Sequence, residues 1–157
     1  RDDEGLPLTD VDPTSWRSAI SWVPQSPTLV PGTILDNMGD LPQRDLDEAA
    51  RATGFDAVLA TTPDGWNSTI GSGGVGLSVG QRQRLALTRA LAARSQVVVL
   101  DEPTAHLDAV SEETVVRAIH AMREEGRTVI VIAHRNAIIE VADTIIDVAH
   151  ADEEALA

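Results

Sequence analysis

The chain has 157 residues, with 25 Asp plus Glu against 12 Lys plus Arg, giving a formal net charge of −13 at pH 7. That length suffices for one domain with its own core, and the acidic balance argues against DNA or RNA as partner, since a polyanion is bound through a basic face. The sequence contains no cysteine, which excludes disulfides, thiolate metal sites and a cysteine nucleophile, and its apolar runs are too short to span a bilayer. All the basic residues are arginine and the first residue is Arg1. Both features suggest a piece of a longer chain.

In chain order, residues 1–15 are acidic and Pro-punctuated and read as the end of a connection, and "AISWV" before Pro24 reads as a short buried strand. Pro24, Pro27 and Pro31 then impose an extended loop. Residues 34–59 are helical in two pieces, the second being "RDLDEAARATGF", with Leu46, Ala49, Ala50 and Ala52 near helical spacing and Gly54 as its stop. Residues 61–76 are loop by composition, and a helix follows over residues 79–94. The last third alternates: strand "QVVVL", helix "SEETVVRAIHAMREEG" with Val115, Ile119 and Met122 on one face, strand "TVIVIA", short helix "NAIIEVA" and a third strand "TIIDV". Such an alternation of apolar strands and helices predicts an α/β fold whose parallel sheet is covered on both faces.

Ligands of such sheets bind at the carboxyl ends of the strands, which selects Asp101, Glu102 and His134. In "VVVLDEP" two acids directly follow a buried run; Asp101 is placed to hold Mg²⁺ and Glu102 to act as a base or to position water. On its own the pattern fits solvated N-caps of the next helix as well. "LSVGQ" makes Ser78 an N-cap and leaves the N–H groups of Val79, Gly80 and Gln81 as an anion site that needs no lysine. Alone it equally describes a plain capped helix whose Arg82, Arg84 and Arg89 pair with nearby acids. Gln25, on its Pro-stiffened loop, is within reach of a metal or an attacking water, or is simply a loop glutamine. His134 can donate to a terminal phosphate or be structural. His106, His120 and His150 share no metal-ligand spacing.

Taken together and in order, these segments resemble the nucleotide-binding domain of ATP-binding-cassette (ABC) transporters. "WVPQ" is similar to the Q-loop, "LSVGQRQRLALTRAL" to the signature motif, "VVVLDEP" to the Walker B strand, "TAHLD" to the D-loop and "VIVIAHR" to the switch-histidine loop. The resemblance implies a P-loop NTPase-like cassette lacking its N-terminal portion, which in the family carries the phosphate-gripping loop and its lysine. It divides the chain into a helical subdomain over 34–80, a catalytic core over 1–33 and 81–148, and a tail over 149–157.

The resemblance further implies ATP and Mg²⁺ as cofactors. Asp101 and Gln25 stand for the metal contacts, Glu102 for the catalytic carboxylate and His134 for the γ-phosphate contact. Ser78, Val79, Gly80 and Gln81 stand for the signature that closes over the opposite ATP, and Asp108 for the segment coupling two sites. The implied partners are a second cassette, as homo- or heterodimer, and a membrane domain at the cytoplasmic face of the plasma membrane; nucleic acid is not among them. Three positions depart from the pattern: Val79 where glycine is usual, His106 where a small residue is common, and Ser72 where many exporters carry an acid. "PQSPTLVPGTILDNM" resembles the exporter form, and residues 62–108 are most similar to the heterodimeric thiol-reductant exporters of cysteine and glutathione that support cytochrome bd assembly. Two alternatives stand beside this one: a soluble cassette acting as a nucleotide-dependent clamp, and a truncated cassette inactive by itself.

Overall fold

A computed structural model describes residues 12–74, 76–104, 109–134 and 136–148. The first element is a helix that the composition of this stretch did not announce, α1 (Pro13–Ala19). Asp12 accepts the Ser15 N–H at 2.8 Å and Pro13 occupies the first turn, so "DP" is the local signal for it. The chain then runs directly into β1 (Ile20–Val23).

After the proline loop come β2 (Gly32–Thr33), a 3-10 turn at Leu35–Asn37, α2 (Gln43–Ala52), α3 (Phe55–Thr61) and β3 (Thr69–Ile70). The first helical piece expected from residue 34 is therefore only one 3-10 turn; Gly39 in left-handed backbone (φ 73°) and Pro42 break it. The second piece forms as its periodicity requires. Leu46, Ala49 and Ala50 are buried, and Gly54 (φ 65°) separates α2 from α3. Residues 61–74 are more structured than their composition suggests, since β3 pairs antiparallel with β2 and Trp66 is tied to α2 through an Nε1–H donated to Asp47 Oδ1 at 2.9 Å.

The C-terminal half contains α4 (Val79–Ala92), β4 (Val97–Asp101), α5 (Ala109–Glu124), β5 (Thr128–Ile132) and α6 (Asn136–Ile139). Strands β1, β4 and β5 form one parallel sheet in that order, with Val23, Leu100 and Val131 in register. Helices α4 and α5 pack on the face that carries Val23, Val98 and Leu100, burying Leu85, Leu87, Val115, Ile119 and Met122 in one core. Arg127 closes the end of α4 by donating to the carbonyls of Ala90 (3.2 Å) and Leu91 (2.8 Å), the groups a helix C-terminus leaves unpaired.

Two expectations are not met among the described residues. The sheet is covered on one face only by the described residues: Trp22, Val99 and Ile130 are in register on the other face, where Trp22 is 61% and Ile130 50% exposed. Residues 144–148, "TIIDV", do not form a strand, and Ile146 is 82% exposed. A strand exists through the neighbour it pairs with, and among the described residues β5 pairs with β4 alone. No described helix is long and apolar enough to cross a membrane.

Candidate functional site

Because the three strands run parallel, their carboxyl ends meet at one edge of the sheet, and this places the segments that follow them side by side. Gln25 follows β1, Asp101 ends β4 with Glu102 next, and His134 lies just past β5. The strand-end rule selected Asp101, Glu102 and His134 together and Gln25 came from its loop; the fold brings Gln25, Glu102 and His134 into contact. Glu102 Oε2 accepts from Gln25 Nε2 at 2.7 Å, and Glu102 Oε1 lies 3.6 Å from His134 Nε2. Each carboxylate oxygen thus faces one residue from a neighbouring strand end.

The backbone of Glu102 is held in an unusual state. Its φ is +43°, left-handed for a residue with a side chain, and its N–H donates to the Ile132 carbonyl at 2.9 Å. Such a conformation costs about 1–3 kcal/mol and persists where the surroundings enforce it. With its N–H still bonded to the sheet, Glu102 leaves the β4 line and its side chain lies against Gln25 and His134. Asp101, half-buried, keeps strand geometry and shares the face of Val97 and Val99. Adjacent acids are thereby given different directions.

The second predicted site is the start of α4. Ser78 Oγ accepts the Gln81 N–H at 3.2 Å, while Gln81 Oε1 accepts the Ser78 N–H at 2.8 Å, a reciprocal capping box. Of the three N–H groups expected to be open to an anion, that of Gln81 is therefore engaged by Ser78, whereas those of Val79 and Gly80 have no carbonyl of the helix to pair with. The Val79 side chain is 53% exposed and points away from the core. The arginines of this helix do not simply pair with acids: Arg82 donates to the Leu77 carbonyl (2.8 Å) and Arg89 to the Asn37 carbonyl (3.3 Å), while Arg94, just beyond the helix, pairs with Asp45 (3.1 Å) and Glu48 (3.3 Å).

Asp108 and His106 lie outside the described residues, as does His150; His120 is exposed on α5. Among the described residues no group of three or more His, Asp or Glu side chains forms a cation cage. The asparagine that ends "GTILDN" entered the sequence reading only as part of the exporter-like stretch; the structure gives the Asn37 side chain three hydrogen bonds.

A sequence-family profile described as "ABC transporter" matches residues 3–105. The chain belongs to the ABC transporter family. Its fold is a partial ABC cassette, a parallel sheet with flanking helices. It resembles the solved structure of a bacterial Atm1-family ABC exporter with ATP bound, at 32% identity and a TM-score of 0.79, over 89% of this chain and 25% of that one. Among curated relatives it is 40% identical over 147 residues to the ABC multidrug transporter MDR5 of Trichophyton rubrum, covering 90% of this chain and 11% of that protein. It is 38% identical over 146 residues to the ABC-type transporter kk1G of Curvularia clavata, again covering 90% of this chain and 11% of that protein. The cassette described here thus spans about a tenth of the length of those relatives.

Proposed function

We propose that this chain is the ATP-hydrolysing segment of an ABC exporter, coupling turnover to transport through a membrane domain at the cytoplasmic face of the plasma membrane. The observation that carries the reading is the grouping of Gln25, Glu102 and His134 at the carboxyl ends of three adjacent parallel strands. Glu102 is the proton acceptor for the attacking water, a role helped by its partial exposure and by the Gln25 amide that holds one of its oxygens while the other faces His134. His134, exposed beside it, donates to the terminal phosphate. Asp101 and Gln25 would hold Mg²⁺, which would supply positive charge against the phosphates. Asp108 belongs to the segment that couples two sites.

The start of α4 serves a second cassette. Its dipole and the N–H groups of Val79 and Gly80 favour an anion, and Ser78 and Gln81 can exchange their mutual bonds for bonds to phosphate. Two cassettes, identical or different, would each supply this helix start to the other's ATP. The helical subdomain over 34–80 and the core over 1–33 and 81–148 are the units that such closure moves. The open sheet face at Trp22 and Ile130, together with the exposed apolar side chains of 145–148, gives the remaining portion of a cassette a surface to cover.

For the cargo, the likeness of residues 62–108 to thiol-reductant exporters supports cysteine or glutathione, with a role in cytochrome bd assembly. The multidrug names of the relatives support a range of drugs instead. Uptake of labelled glutathione into inside-out vesicles carrying the complete transporter separates the two. The catalytic reading is tested by Glu102→Gln in the complete transporter: ATP binding is retained and turnover abolished, whereas near-parental hydrolysis would overturn the role of Glu102.

A further inference from the structure

Asn37 is a buried polar side chain, 6% exposed, at the end of the 3-10 turn Leu35–Asn37. Its Oδ1 accepts the Val30 N–H at 2.8 Å, and its Nδ2 donates to the carbonyls of Val30 and Thr33, both at 3.0 Å. The amide therefore imitates a neighbouring strand for Val30, pairing both backbone groups of a residue that lies in no sheet. This holds a short loop rigid in the segment that follows Gln25, with the Val30 side chain 56% exposed at its tip.

The backbone of Asn37 is tied in another direction. Its carbonyl accepts from Arg89 Nη1 at 3.3 Å, and Arg89 belongs to α4, the helix that begins at the Ser78 cap. A cleft lined in part by Met38, Leu41, Ala86 and Arg89 runs between the turn and α4, with Arg89 on its wall. One residue thus connects the loop beyond Gln25 with the helix whose start is the proposed phosphate contact. Displacing the loop without α4 would break the Arg89 bond or strip buried polar groups of their partners, which the interior penalises.

We propose that Asn37 is a positioning residue that makes the loop after Gln25 and helix α4 shift together when nucleotide engages the Ser78 end. This rests on the nucleotide role proposed above. The linkage passes through two separable contacts, the side-chain brace on Val30 and Thr33 and the carbonyl contact to Arg89. Asn37→Asp keeps an acceptor for the Val30 N–H but turns the donors toward two carbonyls into acceptors. Arg89→Gln leaves the brace intact and shortens the reach from α4.

The test is hydrogen–deuterium exchange on the complete transporter in a Glu102→Gln background, with and without ATP and Mg²⁺. In that parent, nucleotide slows exchange both at 78–92 and at 29–34. In each added variant the response at 78–92 persists and that at 29–34 is lost. A response at 29–34 equal to the parent's in either variant overturns the linkage. So does a loop already unprotected before ATP in both variants, which reduces Asn37 to a residue of the fold. A parent with no response at 78–92 instead overturns the nucleotide reading, so the two failures are distinct.

Discussion

The Gln25 side-chain amide donates to Glu102 Oε2 at 2.7 Å, joining the ends of two adjacent parallel strands from residues 77 apart in sequence. The bond fixes one carboxylate oxygen and leaves the other toward His134. Gln25→Ala removes that restraint and frees the Glu102 side chain to rotate. The expected result in the complete transporter is a fall in hydrolysis of about tenfold or more, equivalent to at least about 1.4 kcal/mol in the barrier. Because the bond is exposed, Tm should move by no more than about 4 °C. Steady-state ATPase kinetics and thermal unfolding check both halves; an unchanged rate contradicts the positioning of Glu102 by Gln25.

The Ser78 cap offers a way to separate helix stability from ligand contact. Ser78→Ala deletes the acceptor of the Gln81 N–H and should cost about 1 kcal/mol, while Ser78→Gly should cost only about a few tenths. Both lack the hydroxyl. If Ser78 also meets phosphate across a dimer, the two variants weaken ATP-dependent association equally despite their different stabilities. Association that tracks stability alone would confine Ser78 to capping.

Helices α2 and α4 are joined by two fully buried hydroxyls, Thr53 and Thr88, whose oxygens lie 2.6 Å apart. Thr88 Oγ1 is also within 2.7 Å of the Arg84 carbonyl, and Thr53 Oγ1 within 3.0 Å of the Ala49 carbonyl. Two hydroxyl hydrogens cannot serve all three contacts at once, so one hydroxyl donates to the other and the second donates to its own helix. Thr88→Val should cost about 1 kcal/mol in the complete cassette, and adding Thr53→Val should cost less than the sum of the two single changes. A urea-denaturation double-mutant cycle reads this, and strict additivity would rule out the coupling.

Asp36 carries the acid sensitivity of the loop next to Asn37. The Thr33 N–H donates to Asp36 Oδ2 at 2.7 Å, and the Asp36 N–H donates to Thr33 Oγ1 at 3.0 Å. The Thr33 backbone N–H first, and its side chain second, hold the Asp36 carboxyl below its ordinary value of 3.8. With the folded pKa depressed, the contribution is complete above the unfolded value and is lost as pH falls through the lower, folded one. An NMR titration of the Asp36 carboxyl should show a midpoint below 3.8, and Asp36→Asn should remove this part of the acid limb. Gly32 is part of the same arrangement: a Cβ there would lie 2.8 Å from Asp36 Oδ2, so Gly32→Ala must displace the carboxyl.

Local sequence by itself determined the main strands and helices of the C-terminal half, because the β-branched run at Val97–Asp101 and the 3.6-residue spacing of Val115, Ile119 and Met122 each declare a buried surface. It also picked out candidate residues for the site. Parallel strands bring their carboxyl ends to one end of the sheet, so Asp101, Glu102 and His134 were selected from position, whereas Gln25 entered only through its Pro-stiffened loop and the family resemblance. Only the tertiary structure decided that Glu102 takes a left-handed backbone and that its two oxygens face Gln25 and His134. It likewise decided that Asn37 ties Val30 to α4, that residues 144–148 form no strand, and that the Trp22 face of the sheet has no layer among the described residues. The physical reason is common to all of these. Periodicity reports that a segment has an apolar face, whereas pairing, coverage and hydrogen-bond partnership belong to whatever the fold places opposite that segment.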